Sequence, residues 1–179
     1  EGIKILGSPI GSDEFISKFV SDYEKMHKGL IETFQTLDDL HDEFPLLKHC
    51  ASINKINHLL RTCNPNIIQQ SILEFDDYFD EAMDRLDAVN RNEEQRELFY
   101  LPTSYYGLGF QKCQDISPAA YISSLIDSQK LCKAINPDYT IQPEAEEILE
   151  SLKVKWKSSK FIQKLNFSIT SLKQGTQHE

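Results

Sequence analysis

A cluster of carboxylates in the middle of the chain has the chemistry of a divalent-cation site. It consists of Asp76, Asp77, Asp80, Glu81 and Asp84. Carboxylates of this kind could hold the two metal ions of a phosphoryl-transfer enzyme. On a helix, however, positions 76, 80 and 84 share one face, opposite the apolar positions 75 and 79, which is the usual arrangement of a solvated helix side. We therefore predict a solvent-exposed acidic face and no metal site.

The doublet His41-Asp42 is the second arrangement that could bind a metal, because helical metal-dependent phosphohydrolases use such a pair. His27 upstream and Asp76 or Asp77 downstream are its conceivable partners. If His27 and His41 lie on one helix, their separation corresponds to a rise of about 21 Å, too far for a shared ion. We predict surface histidines, and a metal phosphohydrolase is the third functional alternative.

A further set combines imidazoles and thiols, which are zinc ligands. Its members are His41, His49, Cys50, His58 and Cys63. Their spacing lacks the tight ligand pairs of closed zinc sites. We expect His49 and His58 to face solvent and Cys50 to pack inward. The four cysteines contain no Cys-x-x-Cys pair, so buried free thiols are expected.

A lysine-rich segment near the end of the sequence could contact phosphate groups. Between Ser151 and Gln177 there are six lysines and no acid, directly after a glutamate-rich stretch. Acids at the start of a helix and lysines at its end are what the helix dipole favours. Alternatively, four of these lysines form a basic stripe beside Trp156 that binds a nucleic-acid backbone without reading its sequence. The stripe consists of Lys153, Lys157, Lys160 and Lys164.

Helical periodicity dominates the elements that must position these residues. Long helices are predicted from Ser12 to about residue 37, from near Pro45 to 61, and from 65 to 86, with a break at Asn64-Pro65. The first should bury Phe15, Phe19, Tyr23, Met26, Leu30, Phe34 and Leu37. The second should bury Leu46, Cys50, Ile53, Ile56 and Leu60, and the third Ile68, Ile72, Phe75, Phe79, Ala82 and Leu86.

Shorter elements complete the pattern. A polar connection at 90–95 precedes a short helical piece, and a fifth helix is predicted from 118 to 132, with Ser117 as its N-cap and Pro118 at its first position. A last helix is predicted from Pro143 to about residue 172. Together these elements predict a mainly α fold, a bundle of about five to six helices with a short N-terminal β strand and turn.

Two glycine-containing segments carry recognisable motifs. The opening GIKILGSPIG reads as a strand through Ile3, Ile5 and Leu6, followed by a turn that ends it. In LPTSYYGLGF, Gly107 and Gly109 allow positive φ angles, and we expect the aromatic and apolar side chains around them to pack onto a core. Between the two segments lies HLLRTCNPNIIQQSILEFDDYFDEAMDRL.

In this order the three segments resemble the region downstream of the catalytic core in reverse transcriptases of eukaryotic retroelements without long terminal repeats. That family shows a glycine-bounded LG-x-P-I-G strand and turn, an LLR-x-C/V-x-P passage, an FD helix, and LP-x-x-x-GGLGL followed by APAAYLAS. The resemblance covers about the first 130 residues. Where the family has Gly-Gly-Leu-Gly-Leu, this chain has Tyr106-Gly107-Leu108-Gly109-Phe110, which departs from the family's tighter glycine turn.

The resemblance implies a domain organisation and a function. Residues 1–12 would be the end of a polymerase palm, 13–135 a helical thumb-like domain, 136–174 a C-terminal helix, and 175–179 a disordered tail. The catalytic aspartates and their magnesium would belong to a palm upstream of Glu1, so no catalytic residue and no cofactor is expected in this chain. The helices would grip an RNA or RNA/DNA template-primer duplex, and the missing palm and fingers would be a second partner.

Basic residues are the expected duplex contacts. Within the matching region they are Lys4, Lys18 and Arg61, and outside it Lys153, Lys157 and Lys160. The net charge of −9 argues against a generally basic surface, and it favours an alternative, a helical protein-interaction module derived from a retroelement. No run of 18 apolar residues and no signal-peptide pattern occurs, so an intracellular protein, cytoplasmic or nuclear, with no membrane partner is expected.

Overall fold

The computed structural model describes residues 1–37, 39–86, 93–141 and 143–156, which are mainly helical. The elements are β1 Gly2–Ile5, β2 Ser8–Gly11, α1 Asp13–Phe34, α2 Leu40–Leu46, α3 Ile53–Thr62, α4 Pro65–Leu86, α5 Glu93–Tyr100, α6 Cys113–Ile135 and α7 Pro143–Trp156. This confirms the predicted mainly α fold with a short N-terminal β element. The chain divides into two compact units, Glu1–Asp127 and Ser128–Glu179. Among the described helices, none is both long and apolar enough to cross a membrane.

The N-terminal segment forms a β-hairpin rather than a strand followed by an open turn. β1 and β2 pair antiparallel, with Lys4 opposite Pro9 and Ile5 opposite Ser8. Leu6 and Gly7 form the two-residue turn with φ angles of 49° and 90°, as expected for the type I′ turns that match strand twist. The predicted turn residues after Gly7 therefore belong to a second strand, because pairing with β1 extends them.

α1 begins as predicted, with Asp13 and Glu14 in its first turn, but its core face is rotated by about one residue from the expected stripe. Its buried residues are Val20, Glu24, His27 and Ile31. Met26, predicted to be inside, is 65% exposed. The reason is that α1 packs against two other elements. α4 packs on one face, and the hairpin covers another, where Gly2 lies against the ring of Phe15.

The predicted second helix is divided in two. α2 begins at Leu40, five residues before Pro45, and continues into a π-helical turn, Leu47–Ala51, before α3 starts at Ile53. The wider turn places Leu47 and Ala51 in the core, while Cys50 is exposed. The prediction that Cys50 packs inward is therefore wrong, because it assumed an unbroken α-helical period.

α4 is the central helix of the first unit and follows its predicted pattern closely. The break before it lies at Asn64-Pro65, where the Asn64 side chain accepts a hydrogen bond from the Asn66 backbone N–H at 3.0 Å. The predicted positions from Ile68 to Ala82 are buried. They form a continuous core with side chains of the preceding helices and of the loop before α6. This core includes Val20, Ile31, Leu47, Ile56, Leu60, Ile68, Phe75, Phe79 and Phe110.

α6 begins five residues earlier than predicted. Its first residue is Cys113, and Pro118 lies inside it. The Asp76 side chain supplies the cap, because its two carboxylate oxygens accept hydrogen bonds from the backbone N–H groups of Cys113 (2.8 Å) and Gln114 (2.9 Å). The predicted N-cap role of Ser117 is wrong, and that residue is buried.

The second unit contains the end of α6 and α7. α7 begins at Pro143, as predicted, and is described to Trp156. The predicted continuation to residue 172 and the predicted disordered tail at 175–179 lie outside the described residues.

Candidate nucleic-acid interface

The hairpin is attached to two helices, and this attachment organises the candidate interface. The ammonium nitrogen of Lys4 on β1 lies 5.5 Å from the centroid of the Phe19 ring on α1. The hydroxyl of Ser8 on β2 lies 2.9 Å from Nε2 of His58 and 3.0 Å from the hydroxyl of Thr62, both on α3. The hairpin therefore bridges α1 and α3, although a two-stranded sheet alone is only marginally stable in water.

The Ser8–His58 contact is structural and not a nucleophile with its base. The Thr62 hydroxyl donates its proton to the carbonyl oxygen of His58 at 2.9 Å, so toward Ser8 it can only accept. Ser8 then donates to Thr62 and must accept a hydrogen bond from His58 Nε2. A nitrogen that already carries a proton cannot remove one from Ser8. The three groups form a latch that holds β2 on α3.

Three predicted contact residues belong to the hairpin or to the two helices that it contacts. Lys4 is on β1, Lys18 is exposed on α1 next to the Phe19 that Lys4 covers, and Arg61 precedes Thr62 of the latch. Arg61 also lies 3.8 Å from an Asp127 carboxylate oxygen, and both side chains are largely exposed. An exposed ion pair of this length is worth little free energy, so the guanidinium remains accessible to a phosphate.

The predicted lysine stripe is only partly described. Lys153 lies on α7 in the second unit, and its ammonium group is 2.6 Å from a Glu150 carboxylate oxygen. Lys157 and Lys160 lie outside the described residues. The structure therefore places Lys4 on the hairpin, Lys18 and Arg61 on the two helices that the hairpin contacts, and leaves the stripe a prediction.

The hairpin also exposes apolar side chains. Ile3, Ile5 and Ile10 share one face by strand alternation and register, and they are 59%, 47% and 53% exposed. Leu6 in the turn is 94% exposed. Contiguous exposed apolar residues of this kind mark interaction surfaces. Sequence alternation alone could have revealed this face, had the second strand been recognised.

The acidic face of α4 is covered, contrary to the prediction of a solvated side. Asp76 is buried under the start of α6, Asp80 accepts a hydrogen bond from the Tyr100 hydroxyl, and Asp84 pairs with Arg96. Burial raises the pKa of Asp76, although its two backbone N–H donors act in the opposite direction. These carboxylates join helices together. Among the described residues, no group of three or more His, Cys, Asp or Glu side chains could hold a metal ion.

His27 is in the core and not on the surface as predicted. Its Nδ1 is 2.9 Å from the Tyr78 hydroxyl, and its Nε2 is buried without a hydrogen-bond partner. Burial, together with the nearby charge of Lys55, lowers the pKa of His27 to about 4. The histidine is therefore neutral near pH 7, and it links α1 to α4.

The other candidate metal ligands are dispersed. His41 is exposed on α2, where its backbone N–H binds the Asp39 carboxylate at 2.8 Å. His49 is exposed, as predicted, and His58 belongs to the hairpin latch. All four cysteines are free thiols, with Cys63 and Cys113 buried.

The glycine-containing loop has a left-handed residue at position 106, although that residue is tyrosine and not glycine. Tyr106 adopts φ 63° and is fully exposed, whereas Leu108 and Phe110 pack onto the core. At Gly107 a β-carbon would lie 2.1 Å from the carbonyl oxygen of Leu101, so that position requires glycine. The expected packing of the loop is thus correct for its apolar end and wrong for its tyrosines.

Comparisons with protein-family models, with curated proteins and with solved structures find no match for this chain. The resemblance to reverse transcriptases therefore stays a prediction from the motifs. The geometry around the hairpin is the observation on which a functional proposal can rest.

Proposed function

We propose that this chain is a thumb-like part of an RNA-directed DNA polymerase that positions a template-primer duplex. The observation that carries the proposal is the attachment of the hairpin, which carries Lys4, to α1 and to α3, where Arg61 precedes Thr62 of the latch. Cations held on a braced element can contact successive phosphates and keep a duplex in register. The role is positional and does not depend on base sequence.

The chemistry of polymerisation would come from elsewhere. In the proposed parent enzyme, palm aspartates and magnesium activate and align the reacting groups. The residues of this chain would only hold the duplex and orient its end.

The exposed apolar face of the hairpin fits the same proposal. Ile3, Ile5 and Ile10 would form the surface that a palm and fingers segment covers. Burying these side chains would supply the hydrophobic stabilisation that a domain contact needs. The cationic residues on the flanking helices would remain free for the nucleic acid.

The test is binding of the purified chain to a labelled RNA–DNA primer duplex at increasing salt. We expect weak binding whose logarithm falls linearly with the logarithm of salt concentration. Lys4→Ala/Lys18→Ala/Arg61→Ala should lower the slope by roughly two to three, because each phosphate contact contributes about 0.7 to 0.9.

A charge-matched control separates specific contacts from total charge. Lys25→Ala/Lys28→Ala/Lys133→Ala removes three exposed lysines elsewhere, and it should leave the slope nearly unchanged. Equal losses for the two triple variants would contradict the hairpin interface. A third variant, Lys153→Ala/Lys157→Ala/Lys160→Ala, tests the predicted stripe separately.

A second candidate function is a protein-interaction module. The net charge of −9 favours it, as do the carboxylates placed beside Arg61 and Lys153. No duplex binding at low salt, combined with salt-sensitive one-to-one binding of a lysine-rich peptide, would support this module in place of the thumb-like function.

A further inference from the structure

One edge of the N-terminal hairpin presents backbone groups to solvent. Antiparallel strands alternate between hydrogen-bonded and non-hydrogen-bonded residue pairs. Ile5 and Ser8 flank the two-residue turn and form a hydrogen-bonded pair. The Ser12 N–H donates to the Glu1 carbonyl at 2.9 Å, which fits the same alternation. Lys4 therefore directs its N–H and C=O away from β2. In the part of the chain that the structure describes, no third strand joins the hairpin.

The outer edge of β2 is closed to strand pairing. Pro9 occupies the outward-facing position there and has no N–H to donate. Pro9 is also buried, and β2 packs against α1 and α3. Prolines and covering elements are ways in which proteins protect a sheet edge. β1 contains no proline, and all four of its residues are exposed. The hairpin therefore has one edge that can accept a further strand.

The two faces of β1 define the side chains that an added strand needs. In an antiparallel addition, the strand residue opposite Lys4 shares the face of the Lys4 side chain, beside Phe19. An acidic side chain at that position would pair with the ammonium group. The two neighbours of the acidic residue would lie opposite Ile3 and Ile5, which are 59% and 47% exposed. Apolar side chains there would remove this surface from water.

Lys4 also argues against a second copy of the chain as the occupant. Two β1 strands paired about Lys4 would place their ammonium groups opposite each other, and like charges directly opposite destabilise a strand pair. A lysine on a free edge thus discourages self-association, while it favours a strand with a carboxylate at that position. One residue supplies both the repulsive and the attractive contact on which specificity depends.

We propose that β1 is a docking edge for an extended protein segment with an acidic residue between two apolar ones, which adds to the hairpin as a third, antiparallel strand. Main-chain hydrogen bonds to Lys4 provide affinity, and the three side chains provide specificity. The inference does not rest on duplex binding, since strand addition needs only β1. Lys4 binds either the carboxylate or a phosphate, so the two ligands exclude each other at this residue.

The test uses the full chain and a capped peptide, acetyl-Ser-Thr-Val-Glu-Val-Thr-Ser-amide, followed by nuclear magnetic resonance. We expect saturable one-to-one shifts of the β1 amide signals. Nuclear Overhauser contacts should join the peptide valines to Ile3 and Ile5, because these residues form the closely spaced, non-hydrogen-bonded pairs of the added strand. Contacts confined to residues outside the hairpin would overturn the proposal.

Two matched comparisons separate strand addition from nonspecific binding. N-methylation of the peptide glutamate should abolish binding, because its N–H donates to the Lys4 carbonyl. N-methylation of the following valine, whose N–H points away from β1, should weaken binding far less. A lysine in place of the peptide glutamate should weaken binding roughly 2- to 10-fold, and Lys4→Glu in the chain should reverse this preference. Lys25→Glu, at an exposed position of α1, should leave the preference unchanged.

Three further outcomes would contradict strand addition at β1. Equal losses from the two N-methylated peptides would show that binding does not use the backbone edge. A preference that Lys4→Glu leaves unchanged would remove the charge pair, and no saturable shift up to the solubility limit of the peptide would remove the site. Shifts of β1 signals with protein concentration in the absence of peptide would also overturn the proposal, because a second copy would then occupy the edge.

Discussion

Polar contacts are made in opposite ways by α4 and by the N-terminal hairpin. On α4 they are buried: the Asp76 carboxylate caps α6, and the Tyr78 hydroxyl binds His27 of α1. Both partners come from distant parts of the sequence. A buried polar group is costly when its partner is lost, because water cannot replace that partner. The α4 contacts therefore stabilise and specify the fold.

The hairpin contacts are exposed. Ser8 of the hairpin bonds to His58 of α3, and on α3 itself Arg61 lies beside Asp127; solvent can replace either partner in both contacts. Such contacts contribute little to stability, but their charges stay available to a ligand. The comparison teaches that charged side chains at helical spacing indicate a binding function only where no other element of the fold covers those side chains. Four measurements test this distinction, taken from the largest expected effect.

The largest expected effect concerns His27. Its pKa is lowered to about 4 in the folded chain, below the ordinary value of 6.5. The associated stability is present above pH 6.5 and is lost as the pH falls toward 4, in total about 3 kcal/mol. His27→Phe should remove this part of the pH dependence of the free energy of unfolding, measured by urea denaturation between pH 7 and 4.

Exposed His49 provides the control for that measurement. His49→Ala should keep the pH dependence of the unmodified chain. If His27→Phe and the unmodified chain showed parallel stability curves from pH 7 to 4, the buried His27 would not be the titrating group.

Next in size is the loss of the α6 cap. Asp76→Ala should lower the free energy of unfolding by about 2 kcal/mol, because the buried Cys113 N–H loses its acceptor and the helix loses its cap. Asp77→Ala, at the exposed neighbouring position, should change it by less than about 0.5 kcal/mol. Urea unfolding followed by circular dichroism measures both. Equal effects would mean that the α4 acids act only through their charge.

A smaller effect is expected at the hairpin latch. Ser8→Ala removes two exposed hydrogen bonds and should lower the free energy of unfolding by about 0.5 to 1 kcal/mol. Amide hydrogen exchange should become faster in β1 and β2 while protection in α4 is unchanged. Faster exchange throughout the first unit would show that the hairpin is as integral to the fold as α4.

The smallest effect on stability, with a measurable effect on binding, is expected at Asp127. Asp127→Asn should alter the free energy of unfolding by only a few tenths of a kcal/mol, because the Arg61 pair is exposed. Duplex affinity at low salt should nevertheless rise a few-fold, since Arg61 loses a competing carboxylate. Unchanged affinity would remove Arg61 from the proposed interface.

Several elements follow from local sequence alone. The apolar rhythm from Ile68 to Ala82 predicted the buried face of α4, and Asn64-Pro65 predicted its beginning. These signals succeed because they depend on helical period and on the missing N–H of proline, both properties of neighbouring residues. Clear signals of this kind suffice for the mainly α fold class.

Other features were decided by tertiary packing. The Asp76 carboxylate caps α6 at Cys113, 37 positions later in the sequence. This cap explains why α6 begins earlier than predicted, and no local pattern encodes it. Because of the π-helical turn, Ala51 lies in the core in place of Cys50, which the α-helical period predicted there. The position of the hairpin against α1 and α3 shifted the buried face of α1 and joined β1, which carries Lys4, to α1 and α3. In each case the deciding partner is distant in sequence, so only the folded chain brings the two groups together.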